Sequence, residues 1–69
     1  MQKSNLNKIK IGGFFVLSNN DEPNTLHNPV YVKRGFSRIH CAYACYMLNK
    51  PSSNIFLSGK TEVYVRFSI

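Results

Sequence analysis

Sixty-nine residues allow one domain with a small core, and a chain of this size is marginal without a disulfide, a metal or a second copy. Nine Lys and Arg against three Asp and Glu give a net charge of +6, which excludes an acidic mimic of DNA and suits contact with phosphate, with an acidic protein or with an anionic surface. At 43% hydrophobic and 13% aromatic the chain is too apolar for a disordered tail, so residues 1–69 read as a single globular domain.

Residues 1–7 are polar apart from Met1 and Leu6 and are expected to fray. Residues 8–11 alternate basic and apolar, the period-2 mark of a strand with one wet face. Gly12 and Gly13 separate them from Phe14-Phe15-Val16-Leu17, either as the turn of a tight hairpin, the preferred reading, or as a bulge in one longer strand. Residues 18–28, rich in Asn, Asp, Pro, Thr and Ser, read as a surface loop. Pro29 opens a strand over 30–34, which Gly35 breaks.

Residues 37–49 carry a helix signal, with Ser37 as N-cap and Pro51 forbidding continuation. At 100° per residue, Ile39, Ala42, Tyr43, Tyr46 and Met47 fall on one arc, and Cys41, Ala44, Cys45 and Leu48 on the opposite arc. One small sheet covers only one of these arcs. The small-volume cysteine arc is expected against the sheet, both thiols reduced, metal-free and buried. The arc of Ile39, Tyr43, Tyr46 and Met47 is then left for a partner, with a homodimer as the leading expectation.

Strands over 54–58 and 61–69 follow, joined by Gly59-Lys60 as a type II′ hairpin turn. That turn sets Phe56 opposite Val63 and Ile55 opposite Tyr64, with Phe56, Val63, Val65, Phe67 and Ile69 forming the core face. The predicted order is β(β)-β-α-β-β: an α+β fold in which one antiparallel sheet of three to five strands carries a single helix on one face.

Tyr31 and Lys33, pointing away from Val30 and Val32, would share an outer sheet face with Tyr64 and Arg66. Rings interleaved with cations can stack bases and neutralise phosphates. An ordinary solvated face has the same composition, since tyrosine is a favoured strand residue. Arg34 and Arg38 flank the expected helix start, where an anion is favoured. The candidate binding set is therefore Tyr31, Lys33, Arg34, Arg38, Tyr64 and Arg66.

No catalytic or metal set is expected. Cys41 and Cys45 would share a helix face, but His40 points about 100° away and His27 lies in a loop, so a structural zinc site is not in order. Asp21, Glu22 and His27 share that loop, which keeps a small toxin-like nuclease as the last alternative. No cofactor is expected. Residues 1–10 lack a signal-peptide core and no stretch is long enough to span a membrane, giving a cytoplasmic expectation. Abundant Asn, Lys, Ser and Ile match an AT-rich gene such as a phage or mobile element carries. The functional expectation is a non-enzymatic basic protein that binds nucleic acid, or alternatively a phage-type inhibitor or adaptor of an acidic host protein.

Overall fold

A computed structural model of the chain describes residues 2–18 and 28–65. Among these described residues there are six strands: β1 (Gln2–Asn5), β2 (Phe14–Phe15), β3 (Tyr31–Ser37), β4 (Ala42–Met47), β5 (Lys50–Leu57) and β6 (Glu62–Val65), with a 3-10 turn over Leu6–Lys8. They form a two-stranded antiparallel sheet, β1-β6, and a four-stranded antiparallel sheet in the order β2-β3-β4-β5. Val16 and Tyr64 exchange N–H···O bonds of 2.9 Å in each direction, which joins the end of β2 to β6 and ties the sheets together. Among the described residues there is no α-helix, so the α+β expectation is wrong: the fold is almost entirely β.

The correction centres on residues 37–49. Two opposed apolar arcs cannot both be covered in a domain of this size, whereas a strand sorts the same residues by twos. In β4, Tyr43, Cys45 and Met47 take one face and Ala42, Ala44 and Tyr46 the other, and β3 and β5 pair with its two edges. The Ser37 signal is real but local. Its Oγ accepts the His40 backbone N–H at 3.4 Å, the bond an N-cap makes, yet it closes the turn between β3 and β4. Pro51 lies in β5, where the β4-β5 register slips between Cys45 and Met47. A missing N–H is tolerated at such an irregularity. There the Ser53 hydroxyl accepts from Met47 N–H at 3.1 Å and donates to the Lys50 carbonyl at 2.8 Å.

Other expectations are corrected at either end. Gln2–Asn5, expected to be frayed, pairs with β6 as β1. Residues 8–11 are not a strand: the 3-10 turn is followed by a reverse turn in which Gly13 N–H reaches the Lys10 carbonyl at 2.9 Å. Gly12 supplies the φ of +87° that the third position of a type II turn requires. The glycine pair is thus a turn, but not the turn of a hairpin between 8–11 and 14–17. The chain also turns at Ser58–Thr61, where Thr61 N–H bonds the Ser58 carbonyl at 3.0 Å. The strands on either side do not pair: β5 joins β4 and β6 joins β1, so Phe56 faces Ala44 rather than Val63.

The core lies between the two sheets and consists of Leu6, Ile9, Phe15, Cys45, Val63 and Val65, with Tyr31, Tyr43, Ile55 and Leu57 packed around it. Of the expected core face, Val63 and Val65 are buried, Phe56 is exposed, and Phe67 and Ile69 lie outside the described residues. Among those residues no buried side-chain N or O lacks a hydrogen-bond partner, and no helix is long and apolar enough to cross a membrane.

Cys41 occupies the last position of the β3-β4 turn at φ +52°, a left-handed conformation that costs a non-glycine residue about 1–3 kcal/mol. Its side chain is exposed, contrary to the expectation that both cysteines are buried. Cys41→Gly should therefore raise the unfolding free energy by about 1 kcal/mol, and Cys41→Val lower it by at least as much, in urea titrations.

Candidate nucleic-acid interface

With the inner faces of β3, β4 and β5 turned to the core, alternation leaves Val32, Ala44, Tyr46 and Phe56 on the outer face. Phe14 stands opposite Val32, and Val32 opposite Tyr46, so these three form one row across β2, β3 and β4. Ala44 and Phe56 form the next row.

Arg34 reaches the outer face by alternation, as the residue after the inward-facing Lys33, and a bulge lies beside it. Between the pairs Lys33-Cys45 and Phe36-Tyr43, Arg34 and Gly35 together oppose Ala44 alone. The guanidinium of Arg34 lies 5.5 Å from the centre of the Tyr46 ring, within cation-π range. Arg34, Tyr46, Leu48 and Pro51 line an open cleft of about 360 Å³. At the other end of the face the His40 imidazole stacks on Phe56 with ring centres 3.7 Å apart and planes 7° from parallel. His40 is held by Ser37, whose Oγ lies 2.9 Å from Nδ1. Phe56 keeps 42% exposure and Phe14 59%.

The expected binding residues are distributed differently. Arg34 is exposed on the outer face and Arg38 in the β3-β4 turn beside His40. Tyr31 packs against the core and stacks on Phe15 at 5.7 Å. Tyr64 lies on β6, paired with Lys3 and bridged to Val16, apart from the β3-β5 face. Arg66 lies outside the described residues. Lys33, only 4% exposed, is a buried residue rather than a surface cation. Its ammonium donates to the Ile9 carbonyl and sits 3.9 Å from the centre of the Tyr43 ring. Burial pushes the Lys33 ammonium below its ordinary pKa, with the neighbouring Cys45 opposing the shift. Burial likewise pushes the Cys45 thiol up.

The interface set does not converge either, because its shared arc existed only on a helix. Tyr43 and Met47 take the inner side of β4, Tyr46 the outer, and Ile39 is 92% exposed in the β3-β4 turn. The homodimer expectation loses its premise. Among the described residues no three His, Cys, Asp or Glu side chains gather as metal ligands. The Asp21, Glu22 and His27 loop lies outside the described residues. Glu62, the one acid within them, is exposed and paired with Lys3 at 2.7 Å, an ion pair that raises the lysine pKa and contributes little in water.

His40, Phe56 and Phe14 are the outer-face residues not proposed from the sequence. The signal that points to this strand is the short uninterrupted apolar run Ala42–Met47, whose length suits a strand as well as a helix segment. Comparison with protein-family models, with curated proteins and with solved structures finds no match for this chain.

Lys33→Ala should lower stability by roughly 2–4 kcal/mol in denaturant unfolding, through the lost buried stem and the orphaned Ile9 carbonyl, without weakening oligonucleotide binding. The depressed pKa has a definite sign. Between the folded-state value and the higher unfolded one, the unfolded chain holds more protons, so stability rises with pH through that alkaline window. Subtracting the profile of Lys33→Met from that of the wild type should isolate this rise.

Proposed function

We propose that the protein is a non-enzymatic nucleic-acid-binding domain that uses the outer face of β3, β4 and β5. The observation that carries this reading is the placing of the exposed Arg34 guanidinium over the Tyr46 ring at the mouth of a cleft, with the exposed His40-Phe56 stack on the same face. Arg34 and Arg38 supply positive charge at this face, and the only described carboxylate sits on β6, already paired with Lys3. A net charge of +6 adds general attraction for a polyanion. The two cysteines are free, as suits a reducing cytoplasm, where we place the protein.

A second reading, an inhibitor or adaptor that binds a host protein, draws on a different feature. Phe36 at the end of β3 is 55% exposed and Ile39 in the adjoining turn 92%, an apolar tip of the kind that anchors in a protein pocket.

The double variant Arg34→Ala, Arg38→Ala should weaken oligonucleotide binding across sequences and reduce the slope of log affinity against log salt by about 1.4–1.8, the value for two lost phosphate contacts. Lys8→Ala with Lys10→Ala removes the same charge from the 3-10 turn and its exit and should cost less. Equal losses from both doubles would contradict this face, and no retention of any oligonucleotide at about 50 mM salt would transfer the proposal to a protein partner.

A further inference from the structure

Resting on the proposal that this face binds nucleic acid, we infer that its occupant is a single strand, held by splaying two bases onto two separate ring platforms, and that duplex is discriminated against. The first platform is Tyr46 in the cleft beneath Arg34, and the second is the His40-Phe56 stack. Phe56 is paired with Ala44, two residues from Tyr46 on the same face of β4.

Exposed ring faces decide the class of ligand, because a base reaches either platform only by leaving its own stack, which a single strand does at small cost and a duplex cannot do without losing its pairing. A duplex keeps its base faces covered and would engage only the cations of this face, without its rings.

The platforms are also prepared for a base. His40 extends the aromatic surface of Phe56 and is exposed, so a base stacking on the imidazole would make a third layer on a ring held in place through Ser37. The Tyr46 cleft, about 360 Å³ and open to solvent, is lined also by Arg34, Leu48 and Pro51. Arg34 at its mouth can meet the phosphate between the two bases.

The test is fluorescence anisotropy of the full chain with a labelled oligothymidylate of about ten nucleotides, within the usual site size of a single-strand-binding fold, against a duplex of the same length. The single strand should bind at least tenfold more tightly. Tyr46→Leu and Phe56→Leu should each weaken it by roughly 5- to 100-fold without changing the salt slope, as expected for a lost stacking contact. His40→Ala, in an exposed turn and remote from the core, should weaken it in the same manner, and provides the readout if a strand substitution impairs folding. Phe36→Leu, outside the two platforms, should leave it unchanged. Duplex binding as tight as single-strand binding, or unchanged affinity in both the His40 and Tyr46 variants, would overturn the inference while leaving nucleic-acid binding in place. Failure to bind either oligonucleotide would overturn both.

Discussion

The reciprocal backbone bonds between Val16 and Tyr64, 2.9 Å each, are the constraint on which the rest of the structure depends. A two-stranded sheet such as β1-β6 is marginal alone in water. Bridged to the end of β2, it is held over the inner face of the four-stranded sheet, so Val63 and Val65 meet Phe15 and Cys45 in one core. Leu6 and Ile9 fill that core from the 3-10 turn and its exit, which is anchored to the Ser58–Thr61 turn by Leu6 N–H on the Thr61 carbonyl and Asn7 N–H on the Gly59 carbonyl. Tyr31, Tyr43, Ile55 and Leu57 at the margin of that core are only partly buried, and Phe14, Tyr46 and Phe56 stand on the outer face.

Lys33 and Arg34 show how strand alternation separates structure from proposed function. Two adjacent cations on β3 are sent to opposite sides. Lys33 turns inward, where its ammonium reaches across to the Ile9 carbonyl and lies against Tyr43, joining the sheet to the segment after the 3-10 turn. A buried cation is expensive unless it is bonded, and among the described residues it has no carboxylate to pair with. The carbonyl and the ring face are what compensate it. Arg34, the next residue, points outward to Tyr46 and the open cleft.

The parts of the fold legible in the sequence were those governed by local chemistry. The strand around residues 31–34, the turns at Gly12-Gly13 and at Gly59-Lys60, and the burial of Val63 and Val65 follow from glycine conformations and period-2 patterns. Partners were not legible, because which strands pair is settled by the core rather than by the turn between them. Ser58–Thr61 is a good turn whose flanking strands belong to different sheets. The helix over 37–49 failed for a related reason. The Ser37 cap and the arc pattern were satisfied in isolation, but a strand between β3 and β5 gives Cys45 a core position and Tyr46 a surface one, which a lone helix with two apolar faces could not do. With β4 assigned to a helix, the outer face had no centre. A helix puts Tyr46 on one arc with Tyr43 and Met47, whereas the strand sends it to the opposite face, and of the adjacent Lys33 and Arg34 only Arg34 is accessible.

The face carrying Arg34, Ala44, Tyr46 and Phe56 is the ligand surface we propose, and the β1-β6 sheet lies apart from it. Backbone amide shifts followed by NMR during titration with a short single-stranded oligonucleotide test it most directly. Shifts are expected at Arg34, His40, Tyr46, Leu48 and Phe56, with Lys3, Glu62 and Tyr64 unmoved. Shifts concentrated on β1 and β6, with the outer face of β3 to β5 unmoved, would contradict it.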